Sequence, residues 1–206
     1  MFRKPVWSLL ALLLTVPVTT AAANVITDWD EKAVGVVQTK MPPPAGYRVM
    51  AIVHLAMFEA VNSIEPRYKP YKAKLPASAD TSKEAAAASA AGAVLVTLAP
   101  DAAADGQSTL TSYLATLPDD AAKAKGIKLG QEVVAKILES REKDGASAAD
   151  AYRPRTKPGV YMPTPITFGW QLATMTPFAL ASSWQFRAKP PLSLKKLRLG
   201  LRTGSG

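Results

Sequence analysis

The sequence predicts an all-α protein: a helical bundle of about five helices, followed by a long C-terminal loop region rich in proline and aromatic residues. Three observations support this fold class. Apolar residues recur three and four positions apart in several segments. Clusters of proline and glycine separate those segments. No segment alternates between apolar and polar residues as a half-buried strand does.

The first two helices are predicted on either side of a proline cluster. The first runs from Ile26 to Lys40, with acidic residues near its start, where the helix dipole favours negative charge. The segment Met41–Gly46 breaks it, and the second helix runs from about Tyr47 to Ile64. We expect the second helix to be buried around most of its circumference. The apolar face of this helix consists of Met50, Val53, Met57, Val61 and Ile64, and Ala51, Leu55 and Phe58 make it broader.

The third helix is predicted to begin near Thr81 or Ser82 and to continue to Leu98, after an extended connection that contains prolines. Its centre consists mostly of small residues, which allow neighbouring helices to approach closely. A low-complexity linker is the alternative. The apolar residues at the end of the segment argue against a linker, because they require a core.

Two more helices complete the predicted bundle. Pro100 and Asp101 open the fourth helix, whose apolar residues are Leu110, Tyr113, Leu114 and Leu117. Residues 118–120 open the fifth helix, which runs to about Lys143 and stops at Asp144-Gly145. The apolar residues of the fifth helix are Ile127, Val134, Ile137 and Leu138.

The composition changes after Tyr152. Residues 152–170 contain four prolines, two glycines and four aromatic residues. This stretch is too rich in proline for a helix or a central strand. We expect it, and the similar stretch 176–194, to form an ordered loop that packs its aromatic side chains across the bundle.

The two ends of the chain are predicted to lie outside the helical region, which spans residues 24–191. Residues 1–23 carry Arg3 and Lys4, then an apolar run too short to cross a bilayer, then three alanines. This pattern is typical of a cleaved secretory signal. It predicts a periplasmic or secreted protein with no stable membrane span after cleavage. An uncleaved membrane anchor is the alternative. Residues 192–206 form a basic tail that we expect to be disordered.

The overall net charge of +9 comes mainly from these two ends. Two basic residues belong to the signal and four lie in the last twelve residues, which leaves 19 basic and 16 acidic residues in the body. A body so close to neutral does not indicate a nucleic-acid partner. The absence of cysteine excludes thiol nucleophiles, and an exported fold without disulfides depends on core packing.

The chain contains one histidine, His54, which we interpret as a hydrogen-bonded core residue. Its neighbours are Val53 and Leu55, and the nearest acid on its helix, Glu59, lies about 140° round the helix axis. A nitrogen-ligated metal site requires several convergent groups. We therefore expect His54 to be buried, with no carboxylate partner and no second ligand nearby. A general base acting alone is the alternative.

Other catalytic patterns are missing from the sequence. There is no glycine-rich nucleotide loop, no phosphate-binding loop and no nucleophile elbow. The acidic pairs Asp28/Asp30 and Asp119/Asp120 occur at helix starts, where capping explains them. A two-carboxylate glycosidase remains open, although nothing in the sequence indicates one. We therefore assign no catalytic, cofactor-binding or metal-ligating residue.

Residues 47–71 resemble a known family. This segment is similar to the N-terminal helical region of bacterial secreted proteins related to vanadium-dependent haloperoxidases, in the phosphatidic acid phosphatase type 2 (PAP2) superfamily. Four further stretches are similar in the same order, and the resemblance covers roughly residues 24–191. These stretches are AAAASAAGAVLVTLAP, LPDDAAKAKGIKLGQEVVAKILESREKDG, PGVYMPTP and TPFALASSWQFRAKPP.

The resemblance implies a helical bundle and an oxyanion site for phosphate or vanadate, built from K-x6-R-P, P-S-G-H and S-R-x6-H blocks. None of these blocks is present here. The one Arg-Pro pair is Arg153-Pro154, and Ala146 occupies the position of the lysine. The one Ser-Gly pair, Ser205-Gly206, has no histidine after it. No family catalytic residue is carried over, and vanadate or phosphate is expected only in a complete family member.

Three functional hypotheses follow. In the first, the chain is the helical N-terminal part of such a protein and is inactive alone because the oxyanion-binding catalytic half is absent. Truncation or a shifted reading frame would explain its basic end, and an authentic short basic tail is the alternative. In the second, it is a stand-alone exported helical binding module. In the third, it is an enzyme of another class that uses His54. An apolar helix face that a catalytic half would cover predicts self-association.

Overall fold

The computed structural model describes residues 24–73, 75–149, 152–153, 155, 160, 162 and 169–188. These residues form five α-helices and no β-strand, which confirms the predicted all-α class. The predicted signal (1–23) and basic tail (192–206) lie outside the described residues. The helices are α1 (Val25–Lys40), α2 (Pro43–Ile64), α3 (Lys83–Leu98), α4 (Ala103–Ala115) and α5 (Ala121–Arg141).

Side-chain caps set the starts of three helices. Asn24 accepts a hydrogen bond from the N–H of Ile26 at 2.9 Å at the start of α1. Asp120 accepts one from the N–H of Lys123 at 2.8 Å at the start of α5. Ser82 caps α3 in the same way. These oxygens bind N–H groups that have no partner within the helix.

The first two helices form a hairpin around a break of only two residues, Met41–Pro42. The helix α2 begins four residues earlier than predicted, because proline is compatible with the first turn of a helix. Gly46 lies against Val37 across the hairpin, and a Cβ atom at Gly46 would lie 2.4 Å from Val37 Cγ1. The two helices are therefore in close contact beside the turn.

The helix α3 lies at the centre of the bundle and packs on each of the other four helices. Its residues 85–92 are all buried, so this part of the helix is enclosed on every side. Six of these eight residues are alanine and the other two are serine and glycine. The close packing predicted from the small residues is therefore found, and a flexible linker is excluded for this segment.

Two glycines of α5 bring its backbone against α3. A Cβ atom at Gly126 would lie 2.6 Å from the carbonyl oxygen of Ser82, and one at Gly130 would lie 2.6 Å from that of Ala86. These distances are shorter than any side chain tolerates. Only glycine permits this approach between the two helices.

The buried faces of α2 and α5 differ in part from the predicted ones. In α2, Met50 and Val61 are half-buried, and Ala56 and Ala60 carry the close contact instead. The expectation that α2 is buried around most of its circumference is confirmed, since Pro43, Tyr47 and His54 are its only exposed residues. In α5, Val134 and Ile137 are buried as predicted, whereas Ile127 and Leu138 are half-buried. The glycine contacts turn α5 so that Leu129 and Val133 face the core.

A buried carboxylate fixes the connection between α2 and α3. Glu59 is 1% exposed, and its Oε1 accepts hydrogen bonds from the N–H groups of Tyr71, Lys72 (2.8 Å) and Ala73 (3.4 Å). Three consecutive backbone N–H groups thus bind one acidic side chain on α2. Nearby, Asn62 accepts bonds from the N–H groups of residues 67 and 68 and adds a second anchor.

Replacing Glu59 with alanine is expected to lower the free energy of unfolding by about 2–4 kcal/mol, because three N–H groups lose their acceptor and a cavity remains. Denaturant unfolding followed by circular dichroism measures this change. Glu31→Ala, at an exposed position of α1, is the control and should change stability by less than about 0.5 kcal/mol. Equal effects of the two substitutions would show that Glu59 does not anchor the connection.

In the described part of the C-terminal loop region, Phe178 and Trp170 are half-buried, and Phe178 packs against the bundle. Phe178 lies against Arg141, with its ring centre 3.9 Å from the guanidinium carbon. Trp184 and Phe186 are 55% and 80% exposed. The prediction that the loop packs its aromatics across the bundle is therefore wrong for these two residues. Most of the stretch 152–168 lies outside the described residues.

Within the described ranges, no individual helix combines the length and the hydropathy of a membrane span. Only α3 and the following stretch Pro100–Ala115 meet these criteria together, and they are bent by 119° relative to each other.

Candidate functional site

Two clusters of polar side chains join residues from different parts of the fold. The first borders an open cleft of about 510 Å³ along the outer side of α2, which we call the α2 cleft. The second is a set of three charged side chains, the half-buried Arg48 and the buried Arg141 and Asp144, which we call the arginine–aspartate cluster.

The α2 cleft has an apolar middle and a charged end. Met57, Phe58 and Val61 form the middle. The ring of Tyr68 lies beside that of Phe58, with the centroids 6.2 Å apart. Pockets of 300–1,000 Å³ with apolar walls and few polar groups are typical of small-molecule sites, and the α2 cleft falls in this range.

The charged end brings two cations to one carboxylate. Glu65 forms ion pairs with both Arg67 and Lys83, and Arg67 Nε donates to Glu65 Oε1 at 2.6 Å. The hydrogen bonds from Lys83 and Arg67 hold the pKa of Glu65 below its usual value. Glu65 is therefore ionised at neutral pH, and this end of the cleft has an excess of one positive charge.

His54 lies at the other end of the α2 cleft, and its predicted environment is wrong in two respects. Its side chain is 48% exposed rather than buried. It also has a carboxylate partner, since its Nε2 lies 3.0 Å from Oδ1 of Asp30 on α1. Spacing along α2 cannot reveal this acid, because it belongs to the neighbouring helix. The hairpin provides the signal that was missed: Asp30 and His54 lie at nearly equal distances along the chain from the break at Met41–Pro42.

Replacing His54 with glutamine is expected to lower stability by less than about 1 kcal/mol, because half-exposed ion pairs contribute little. A double-mutant cycle with Asp30→Asn, measured by denaturant unfolding, gives the coupling between the two side chains. We expect a coupling of about 0.2–1 kcal/mol. A coupling several times larger would mean that the pair is shielded from water.

The arginine–aspartate cluster joins the start of α2 to the end of α5. Asp144 Oδ2 accepts bonds from Arg48 Nε at 2.7 Å and from Arg141 Nε at 2.9 Å. Arg141 and Asp144 are 3% and 4% exposed. Arg141 also donates to the carbonyl oxygens of Thr176 (2.6 Å) and Pro177 (3.3 Å), so the cluster holds the C-terminal segment on the bundle.

The electrostatics of the cluster favour an ionised Asp144. Burial raises the pKa of Asp144, but the hydrogen bonds from Arg48 and from the N–H of Ala146, together with the charges of Arg48 and Arg141, more than compensate for this. The net result is a pKa below the ordinary value. A buried charge that is paired and hydrogen-bonded in this way is stable in the fold.

The remaining residues considered from the sequence have ordinary structural positions. Asp28 and Asp30 do not cap α1, since Asn24 does. Asp120 caps α5 as predicted, and Asp119 forms an ion pair with Lys123 at 3.3 Å. Ala146 contributes only its backbone N–H, which donates a hydrogen bond to Asp144 Oδ1 at 3.0 Å. Arg153 is exposed, while Pro154 and Ser205-Gly206 lie outside the described residues.

Neither cluster was found from the sequence. Arg48 and Asp144 are separated by 96 residues, so no local pattern links them. Glu65 and Arg67 are close in sequence, but Lys83 lies near them only when the connection to α3 is folded. Among the described residues, no three histidine, aspartate or glutamate side chains are arranged to hold a metal ion.

No family model matches the chain, and neither a curated protein nor a solved structure shows significant similarity to it.

Proposed function

We propose that this chain is an exported helical scaffold that neither transfers phosphate nor oxidises halide by itself. In this proposal it is related to the N-terminal helical region of haloperoxidase-like and phosphatase-like proteins of the PAP2 superfamily. The five similar stretches of sequence support the relationship. The arrangement of Arg48 and Arg141 supports the absence of oxyanion chemistry.

The contacts made by these two arginines are the main observation in favour of the proposal. Stabilising a multiply charged oxyanion requires several free cationic or amide donors that converge on one point. Arg48 and Arg141 converge on the carboxylate of Asp144 instead. Arg141 is further occupied by two backbone carbonyls. Phosphate or vanadate would have to compete with the carboxylate of Asp144 for the half-buried Arg48 and for the buried Arg141.

Calorimetric titration with orthovanadate and with inorganic phosphate tests the proposal. We expect no saturable binding, no hydrolysis of phosphomonoesters and no oxidation of bromide by peroxide in the presence of vanadate. One-to-one binding of vanadate with micromolar affinity would overturn the proposal. The loss of a single oxyanion donor typically lowers the rate by about 100–1,000-fold. Here Arg48 and Arg141 are both engaged by Asp144.

A second candidate function, an enzyme of another class that uses His54 as a general base, is favoured by one observation. Asp30 lies 3.0 Å from His54 Nε2, and a carboxylate in this position orients an imidazole for proton transfer. A screen with ester and amide substrates tests this candidate. Any activity that falls about 100-fold or more in His54→Gln at unchanged stability would favour it over the scaffold.

A further inference from the structure

The α2 cleft follows one stripe of the helix from His54 to Glu65. Its lining residues His54, Phe58, Val61 and Glu65 are spaced by four, three and four positions, which places them on one helical face. Eleven residues of helix span about 16 Å. The lining therefore extends along the helix and suits an extended ligand.

The middle of this stripe offers apolar surface to such a ligand. Phe58 and Val61 are half-buried, and Met57 below them is 1% exposed. Ile26 from α1 forms the opposite wall and is 36% exposed. Covering these side chains with an apolar chain would remove hydrophobic surface from water on both sides of the contact.

The charged end selects the sign of a polar head group. Arg67 and Lys83 share the single carboxylate of Glu65. Their side chains are 70% and 44% exposed, so both are accessible from solvent. A guanidinium has five N–H donors and an ammonium has three, and one carboxylate cannot engage them all. An anionic head group would meet these donors and the excess positive charge.

We infer that the α2 cleft binds a soluble single-chain amphipath with an anionic head group, such as a medium-chain carboxylate. Its head group contacts Arg67 and Lys83, and its alkyl chain lies along Val61 and Phe58 toward His54. The apolar contact provides most of the affinity, and the two cations provide the selectivity for charge. This site shares no residue with the arginine–aspartate cluster, so it does not depend on the proposed scaffold function.

A matched set of ligands tests the inference on the full chain. Decanoate, decanol and decyltrimethylammonium carry the same alkyl chain with negative, neutral and positive head groups. Titration calorimetry, below the micelle concentration of the two ionic ligands and below the solubility limit of decanol, should show the tightest binding for decanoate. Equal affinity for all three would overturn the inference, because the cations would then play no part. Binding to phosphatidylglycerol vesicles without binding to free decanoate would overturn it in favour of a membrane surface.

Two pairs of variants locate the site. Lys83→Met should weaken decanoate binding about tenfold, whereas Lys125→Met, which breaks a similarly exposed ion pair with Asp80, should leave it unchanged. Val61→Trp should block the cleft, whereas Val36→Trp, in a groove beside α1, should not. Circular dichroism confirms that each variant is folded. Unchanged binding in both Lys83→Met and Val61→Trp would place the ligand elsewhere and overturn the inference.

Discussion

Replacing Gly130 with alanine is expected to lower the free energy of unfolding by about 2–3 kcal/mol, the cost of overpacking a core that cannot adjust. The new Cβ atom would lie 2.6 Å from the carbonyl oxygen of Ala86 and 2.8 Å from the nitrogen of Ala90. Both are backbone atoms of α3, so no rotation of a side chain relieves the contact. The helices α3 and α5 would have to move apart along their whole interface.

The same substitution at Gly35 is the control for Gly130→Ala. Gly35 lies within α1, and a Cβ atom there would have no neighbour within 4 Å. Alanine is a better helix former than glycine, so Gly35→Ala should raise stability by about 0.5–1 kcal/mol. Thermal and denaturant unfolding should thus give opposite signs for two identical chemical changes. A stabilising effect at Gly130 would mean that the helices are not in contact there.

Replacing Asp144 with alanine is expected to lower the free energy of unfolding by about 3–5 kcal/mol, because it leaves buried guanidinium groups without a counter-charge. The C-terminal segment should loosen at the same time, since Thr176 donates its N–H to the carbonyl of residue 144 and Arg141 binds the carbonyl of Thr176. Denaturant unfolding measures the loss of global stability, and hydrogen exchange of residues 174–188 measures the loosening of the C-terminal segment. Asp80→Ala, which removes an exposed ion pair, is the control and should leave stability nearly unchanged. Similar losses for the two variants would contradict the burial of the cluster.

The contribution of Asp144 to the free energy of unfolding should also depend on pH and should decrease in acid. Its pKa in the folded protein lies below the ordinary value of 3.8, so the folded state holds this proton less tightly than the unfolded state does. Its stabilising effect is therefore fully present above about pH 4 and is lost as the pH falls through the folded-state pKa. Asp144→Asn should remove this part of the acid dependence. An unchanged acid profile in Asp144→Asn would mean that other carboxylates control unfolding at low pH.

The helices were largely predictable because their signals are local. Capping groups such as Ser82 and Asp120, and the breaks at proline, lie within a few residues of the boundaries they set. The small residues of α3 predicted its close contacts for the same reason. The start of α2 was misplaced, because proline is compatible both with a break and with a first helical turn, and neighbouring residues do not distinguish the two.

The candidate sites were not predictable, because each depends on residues that are far apart in the chain. His54 was assigned to the core from its apolar neighbours, yet a residue beside Val53 points about 100° away from it on a helix. Its partner Asp30 belongs to another helix. The buried acidic residues Glu59 and Asp144 break the rule that acidic residues lie on the surface, and their partners become visible only when the connections are folded.

The alanine-rich centre of α3 has a consequence for the entropy of folding. Alanine and glycine have no side-chain rotamers, so burying residues 85–92 costs little side-chain conformational entropy. Most cores adjust to a substitution when neighbouring side chains adopt other rotamers. Alanine and glycine have no other rotamers, so the core around α3 cannot adjust in this way. Variation in this protein should therefore accumulate at the outer helices and leave the α3 interface nearly invariant in side-chain volume.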